Sequence, residues 1–409
     1  MLPYSDAILT PRNPEPTVSE PLLLDLTHTS HTRARTGIQR VVRSLRKALA
    51  EKAQAVCFDP YEGAWRPLQP WEERNLSSAN PSKGRGSHWP LRARILGRLR
   101  RMSGRTDSPP AKGGASGVLV PEIFSPQVAR SLPRLFAATA GPRVALFHDA
   151  IALQFPEFTP RSNVARFPSY LRELLQFDGV AAVSEASRES LLEYWRWLGA
   201  SRHPEVVALP LGIEPPPSDA GSPDPGKPPV LLSVGSIEGR KNHAALLEAC
   251  ETLWSRGLGF ELRLVGISNP ETGGPALERL ERLRASGRPL RHDGPVDDAT
   301  LEAAYRECSF TVYPSLAEGF GLPVAESLAR GRPCLCRTDG ALGEIARGGG
   351  CIGLGAAGPS EIADAIAGLL ASPSTLASLS AEARGRQFKA WSAYASELLA
   401  WMGSLRRDA

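Results

Sequence analysis

Residues 22–52, LLLDLTHTSHTRARTGIQRVVRSLRKALAEK, predict a strand, a polar loop and a helix in succession. The apolar run Leu22–Leu26 is typical of a strand that is buried on both faces. From Ile38 to Lys52 apolar side chains recur at spacings of three and four, which predicts a helix with one face against a sheet. A strand, a glycine-containing loop and a helix form the opening unit of a doubly wound α/β fold, so we expect that fold class here.

The same alternation continues along the chain. Further strands are predicted at Val144–Phe147, Gly179–Val183, Val206–Leu209, Val230–Val234, Glu261–Val265 and Phe310–Tyr313. Further helices are predicted at Ser169–Gln176, Glu185–Leu198, Ala244–Ser255, Ala276–Ser286, Ala299–Glu307, Ser360–Leu370 and Phe388–Leu405. Asp298 is expected to cap the helix Ala299–Glu307.

The length of 409 residues exceeds what one compact core supports, so two domains are expected. The clearest linker is Pro215–Pro229, PPPSDAGSPDPGKPP. We therefore predict two Rossmann-like doubly wound domains with a cleft between them. The expected order is an N-terminal arm (1–20), a first domain (21–214) with a basic insertion at about 75–117, the linker (215–229), a second domain (230–386) and a C-terminal helix (387–409).

Composition limits the possible classes only loosely. The 48 Lys and Arg exceed the 43 Asp and Glu by five, which suits a phosphorylated ligand or an anionic surface without requiring either. No apolar run reaches the length of a membrane span, and the N-terminus lacks the pattern of a secretory signal. The six cysteines are scattered, without a CxxC pair or histidines at zinc spacing, which predicts reduced, inert thiols in the cytoplasm.

The basic insertion contains one amphipathic segment. Between Lys83 and Lys112 there are nine Lys or Arg and a single acid. Within it, Leu91–Met102 (LRARILGRLRRM) predicts a short helix with an apolar stripe and arginines elsewhere. Two interpretations stay open, a solvated surface insertion and a helix that docks on anionic lipid. No aromatic interleaving accompanies the charge, so we expect no nucleic-acid partner.

The segment Tyr313–Glu326, YPSLAEGFGLPVAE, carries the sharpest chemical signal. Its glycine-bearing loop follows a strand and leads into a helix with Pro323 in the first turn, and free N–H groups at such a helix start bind anions. Glu318 and Glu326 lie on either side of that start, where they can accept hydrogen bonds from ligand hydroxyls. An adjacent pair of cations, Arg240-Lys241, follows another strand and suits a diphosphate.

These residues resemble a known family. EGFGLPVAE (Glu318–Glu326) resembles the paired-glutamate motif of retaining GT-B glycosyltransferases, particularly family 4, and GSIEGRKNH (Gly235–His243) resembles its donor-phosphate loop. The likeness is close from Leu231 to about Leu370. In the first half, DLTHTSHTRARTGIQRVVR, FHDAIALQFPE and AVSEASRESL are similar to the subgroup that builds bacterial surface polysaccharides, whereas residues 60–117 have no counterpart.

The resemblance implies a role for each matching position. Glu318 would hold donor-sugar hydroxyls, Glu326 the ribose hydroxyls, and Arg240 with Lys241 the diphosphate. The further donor-binding residues would be Gly319, Phe320, Gly321, Leu322, Gly37, Gly235 and Ser315. His148 matches a histidine near the reacting carbon, so Glu318 and His148 are the expected catalytic residues, with Asp149 orienting the histidine. The C-terminal helix would cross back onto the first domain.

The implied function is retaining transfer of a hexose from a nucleotide diphosphate sugar to a lipid-linked or growing glycan, as in capsule or O-antigen synthesis. Mannose from GDP-mannose is the first expectation for the donor. No aspartate pair that resembles the metal-binding DxD motif of other glycosyltransferases sits at a suitable strand end. We therefore expect neither a metal ion nor another cofactor. The chain is expected in the cytoplasm, peripheral to the inner face of the plasma membrane if the insertion binds lipid. The alternative is a catalytically silent GT-B module that binds glycans or scaffolds enzymes.

Overall fold

The computed structural model describes residues 20–78, 82, 84, 86–104, 114–216 and 226–405. The predicted N-terminal arm, apart from residue 20, and most of the predicted linker lie outside the described residues. So do Lys83 and Lys112, between which the basic residues of the insertion lie.

The first sheet has seven strands in the order β3-β2-β1-β4-β5-β6-β7, and only the β2–β3 pair is antiparallel. The strands are β1 Leu22–Asp25, β2 Ala53–Asp59, β3 Ala64–Pro67, β4 Gly117–Val120, β5 Arg143–Phe147, β6 Gly179–Ala182 and β7 Glu205–Ala208. Strands β2 and β3 lie on one side of β1, and strands β4 to β7 lie on the other, so the sheet is doubly wound. The carboxyl ends of its central strands therefore meet along one edge, where ligands bind in this class of sheet.

The second sheet has six strands in the order β10-β9-β8-β11-β12-β13, and all neighbours are parallel. The strands are β8 Val230–Val234, β9 Glu261–Val265, β10 Leu290–His292, β11 Phe310–Tyr313, β12 Cys334–Arg337 and β13 Cys351–Leu354. Its order reverses between β8 and β11. The loops that follow these two strands, which carry Arg240 and Glu318, consequently leave the sheet side by side.

Helices cover both sheets. Those that belong to the first sheet are α1 Gly37–Leu49, α2 Pro70–Ser77, α3 Leu91–Met102, α4 Pro126–Phe136, α5 Ile151–Gln154, α6 Arg161–Glu173 and α7 Glu185–Trp197. Those that follow in the chain are α8 His243–Ser255, α9 Pro270–Ala285, α10 Asp298–Glu307, α11 Leu322–Ala329, α12 Gly340–Ala346, α13 Pro359–Ala371, α14 Pro373–Arg384 and α15 Trp391–Ser404. Two doubly wound α/β units result, as the sequence predicts.

The last helix, α15, packs on the first unit. Trp391, Tyr394 and Leu398 are buried in a cluster with β1 and α1, and a backbone hydrogen bond joins Ile213 to the carbonyl of Lys389 at 2.9 Å. The aromatic stripe of this helix therefore serves core packing, and the return to the first domain that the resemblance implies is confirmed.

Several predicted elements need correction. Ten elements are not predicted from the sequence, namely the strands β2, β3, β4, β12 and β13 and the helices α2, α4, α5, α12 and α14. The helix α6 begins at Arg161, eight residues before the predicted start at Ser169. Pro168 lies inside α6, and a proline is normally taken as a helix boundary. The cap of α10 is Asp297, whose carboxylate accepts the N–H of Thr300 at 2.8 Å, and not the predicted Asp298.

Among the described residues no single helix has the length and apolar character needed to cross a membrane. In the described part of the chain, only α13 and α14 taken together reach that length and hydropathy, and a bend of 97° separates them.

Candidate active site

A cleft of about 290 Å³ lies between the two α/β units, and both contribute to its walls. Ten of the twelve site residues predicted from the sequence line it. From the first unit these are Gly37 and His148, and from the second Gly235, Arg240, Lys241, Glu318, Gly319, Phe320, Gly321 and Leu322. They meet because each follows the carboxyl end of a strand, and the two sheets present those ends to each other.

The loop that carries Gly319 is docked against the first unit. The carbonyl of Gly319 accepts hydrogen bonds from the hydroxyls of Ser184 at 2.6 Å and Ser187 at 3.0 Å. A Cβ atom at position 319 would lie 2.1 Å from the carbonyl oxygen of His148, so only glycine allows this approach. The candidate donor loop and His148 are thereby held together across the cleft.

The helix α11 begins at the wall of the cleft. Gly321 precedes it with a φ of +102°, a conformation that favours glycine, and Pro323 follows in the first turn. The N–H groups of a first helical turn lack partners within the helix and carry the positive end of its dipole. This wall of the cleft is therefore suited to an anion.

Two cations and two carboxylates form a buried cluster beside that helix start. The carboxylate of Glu318 lies 2.5 Å from Lys241 Nζ and 2.9 Å from Arg240 Nη1, while Arg240 Nη2 lies 2.9 Å from Glu238. Burial alone would raise the pKa of Glu318, but the charges of Arg240 and Lys241 outweigh it and lower the pKa to about 2. Glu318 is thus ionised at neutral pH, and a diphosphate at these cations would compete with it for the same N–H groups.

His148 is a buried, neutral imidazole. Its Nε2 lies 2.8 Å from the carbonyl oxygen of Pro121, which can only accept, so Nε2 carries the proton and Nδ1 is free to accept. Burial lowers the pKa of His148. Asp149 is expected to orient the imidazole, but no hydrogen bond joins these two described residues. The carboxylate of Asp149 instead accepts the N–H of Ile151 at 3.0 Å, at the start of α5.

Glu326 and Ser315 are the predicted residues that do not line the cleft. Ser315 is fully buried. Glu326 is almost fully buried. Both guanidinium Nη atoms of Arg40, on α1, donate hydrogen bonds to its carboxylate, and the bond from Nη1 is 3.2 Å long. The hydroxyl of Tyr305 donates a further hydrogen bond of 3.2 Å. The carboxylate expected to hold ribose hydroxyls is therefore engaged by the opposite unit.

Three charged residues near the cleft are not predicted from the sequence as site residues, namely Arg35, Arg40 and Glu238. Arg35 pairs with Asp298 at 2.5 Å across the cleft, and Arg40 pairs with Glu326. No sequence pattern marks them, because Arg35 and Arg40 pair with residues about 260 to 290 positions away, and Glu238 pairs with a residue two positions away in a loop. Only their position next to Gly37 or Arg240 could have drawn attention to them.

One cluster of possible metal ligands occurs among the described residues, outside this cleft. It contains His31, Cys57 and Glu72, all buried. The sequence offers Cys57 no histidine partner at zinc spacing, and tertiary structure supplies one. Both carboxylate oxygens of Glu72, however, accept bonds of 2.8 Å from Arg66, and His31 Nε2 also bonds to Glu72 at 2.8 Å. A guanidinium already neutralises this carboxylate, so the cluster is a hydrogen-bonded core network.

Comparison with known proteins agrees with this geometry. Residues 217–386, which include nearly all of the second unit, match the family "Glycosyl transferases group 1". The whole chain resembles sucrose-phosphate synthase from Thermosynechococcus elongatus, with a TM-score of 0.66 at 18% identity over 93% of this chain and 98% of that one. At that identity the likeness concerns the fold, which is GT-B, as expected from the sequence.

Two relatives from Escherichia coli are similar in sequence. The serotype-specific mannosyltransferase WbdA is 27% identical in an alignment of 374 residues that covers 84% of this chain and 42% of the relative. The O-antigen chain mannosyltransferase B is 30% identical over 237 residues, 54% of this chain and 58% of the relative. The chain thus spans less than half the length of the first relative.

Proposed function

We propose that this chain is a retaining glycosyltransferase that moves a hexose, with mannose from GDP-mannose as the first donor to test, to a glycan or lipid-linked acceptor in bacterial surface polysaccharide synthesis. The observation that carries the proposal is the meeting of Arg240, Lys241 and Glu318 at the start of α11, in a cleft between two GT-B domains. The names of the two relatives support mannose and O-antigen.

In the proposed reaction, the bond between the anomeric carbon and the diphosphate oxygen breaks and a bond to the acceptor hydroxyl oxygen forms. The hydroxyl proton leaves with the diphosphate. Arg240, Lys241 and the positive end of α11 stabilise the negative charge that develops on the leaving group. Because these groups supply that stabilisation, we propose that no metal ion is required. Activity that is lost with EDTA and restored by magnesium or manganese would contradict this.

A panel of nucleotide sugars, assayed for nucleotide release with and without mannose-terminated acceptors, tests the transfer. Binding of GDP and of guanosine then tests the phosphate site. The double variant Arg240→Ala with Lys241→Ala should weaken GDP binding at least tenfold more than guanosine binding, since charged hydrogen bonds to the phosphates are lost. The matched control is Arg282→Ala with Arg284→Ala, two exposed arginines of α9.

Equal losses for GDP and guanosine would place the cations away from the phosphates. Tight GDP binding without release of nucleotide from any sugar donor would instead favour the silent-module alternative.

We further propose that α3 docks the protein on an anionic membrane. The helix occupies the predicted range Leu91–Met102, and its small residues Ala93 and Gly97 face the protein. Its large apolar side chains point outward and are about half exposed or more, namely Leu91, Ile95, Leu96, Leu99 and Met102. Arginines flank that face, and they complement anionic headgroups while the apolar side chains enter the lipid.

Co-sedimentation with phosphatidylglycerol vesicles tests this docking. The triple variant Leu91→Ser, Leu99→Ser and Met102→Ser should lose most of the binding, because it removes exposed apolar area without touching the core. Trp197→Ser changes an exposed apolar residue of α7 and is the matched control. Binding that is unchanged in the triple variant would refute the proposal.

A further inference from the structure

A second and larger pocket, of about 580 Å³, lies in the first unit directly beside the cleft. The two cavities share wall residues, among them Asp149, Glu238 and Arg240. A molecule in the second pocket would therefore contact Arg240, one of the two cations of the candidate active site. The volume of this second pocket is within the range of ordinary ligand sites.

Two buried carboxylates form one wall of this pocket. Asp25 ends β1 and Glu122 follows β4, the neighbouring strand, so the sheet brings them together. Asp25 accepts the N–H of Thr27 at 2.9 Å, and Glu122 accepts the N–H groups of His28 and Thr29, both at 2.8 Å. Among the described residues, neither carboxylate lies within salt-bridge distance of a cationic side chain.

Burial favours the neutral form of both carboxylates. Burial and the charge of Glu122 raise the pKa of Asp25 to about 7, and burial also raises the pKa of Glu122. A pair that holds one proton near neutral pH can both donate and accept hydrogen bonds.

The other walls combine flat aromatic rings with polar side chains. Trp89, from the insertion without a family counterpart, lines the pocket and stacks on His31 with ring centroids 3.8 Å apart. Asn163 and Arg166 of α6 also line it, and the Nε of Arg166 is buried without a hydrogen-bond partner. Aromatic faces beside carboxylate, amide and guanidinium groups are suited to the apolar faces and hydroxyl edges of a sugar ring.

We infer that this pocket binds a neutral sugar unit of the acceptor, with Asp25 and Glu122 bonding its hydroxyls and Trp89 packing on its face. An anion is disfavoured by the carboxylate pair, and a lipid chain would leave buried polar groups without partners. The inference rests on the proposed function, since the sugar is taken as the acceptor. It assigns acceptor recognition partly to the insertion, through Trp89.

The test uses methyl α-mannoside as the probe, with binding followed by saturation-transfer NMR, so that it does not depend on turnover. Asp25→Asn, Trp89→Ala and Asn163→Ala should each weaken binding about tenfold, the effect of one lost bond or packed face on a bound sugar. Asn163 is exposed, so its variant tests the pocket even where the buried substitutions impair folding. Trp197→Ala is the control, and GDP affinity reports an intact donor cleft.

Weaker methyl α-mannoside binding in the three variants, with unchanged GDP affinity, supports the inference. Unchanged sugar binding in Asn163→Ala and in the folded forms of the other two overturns it. Failure of the proposed function has a different signature, namely no nucleotide release from any sugar donor by the unaltered protein. Where transfer is observed, the variants should raise the acceptor KM and leave the donor KM unchanged.

Discussion

Replacing Glu318 by glutamine should lower the free energy of unfolding by about 3 kcal/mol at pH 7. The carboxylate is buried between Arg240 and Lys241, and its pKa falls from the ordinary 4.5 to about 2. That difference corresponds to about 3 kcal/mol of stabilisation by the charged form. Glutamine keeps the shape of the side chain and removes the charge, so this contribution is lost.

The pH dependence follows from the sign of the shift. Because the folded state lowers the pKa of Glu318, its contribution is complete above the ordinary pKa and declines as pH falls from 4.5 toward 2. The difference between the unaltered protein and Glu318→Gln should therefore shrink to about 1 kcal/mol at pH 3.

Urea denaturation of both proteins at pH 7 and pH 3, followed by circular dichroism, measures these differences. Glu278→Gln, an exposed glutamate of α9, is the matched control and should change stability by less than about 0.5 kcal/mol. The reasoning is refuted if Glu318→Gln is as stable as the control at pH 7, or if its loss is the same at both pH values. The expected loss rests on the buried ion pairs of Glu318 with Arg240 and Lys241, which the sequence does not reveal.

Three further predictions concern stability. Arg40→Met should lower the free energy of unfolding in urea by about 2–4 kcal/mol, because Glu326 stays buried without its cation. The double variant Arg40→Met with Glu326→Gln should recover most of that loss, and additive losses would mean that the two residues are not coupled. The unfolding free energy of the unaltered protein should fall by about 3 kcal/mol, through Asp25 alone, as pH rises from 4 to 7, because the folded state raises the pKa of Asp25 from 3.8 to about 7. Asp25→Asn should remove this component, and an identical pH profile in the variant would argue against the shift. Trp391→Ala should lower the free energy of unfolding by about 3–5 kcal/mol and lower the Tm, because it opens a cavity between α15 and the first unit. A loss below about 1 kcal/mol would mean that this contact is not part of the core.

The predictable part of the fold rests on local pattern. The segment Leu22–Leu26 and the stripe beginning at Ile38 predict β1 and α1, and α3 has the predicted bounds. The strands β2 to β4, β12 and β13 are not predicted because they are only four to seven residues long, and apolar periodicity does not reliably identify runs that short. Pro168 concealed the first half of α6, since a proline inside a helix is indistinguishable by pattern from one at its end.

The candidate site divides in the same way. Arg240-Lys241 and the Glu318 loop are recognisable because each is a short run of adjacent residues whose chemistry is visible without knowing its neighbours. The pairing of Arg40 with Glu326, by contrast, joins residues 286 positions apart. The use of Asp297 rather than Asp298 as the cap of α10 depends on which side chain faces the helix end and which faces Arg35.

The amino-acid sequence alone determined the two doubly wound units and the strand ends at which the cations, glycines and glutamates lie, because spacing and residue type act within a few positions. Tertiary structure decided that Glu318 neutralises the two cations and that Arg40 covers Glu326. It also decided that Asp25, Glu122 and Trp89 enclose one pocket beside the cleft. Such charge pairs and cavity walls depend on distances between segments far apart in the chain, which are established only when both sheets and the insertion are packed.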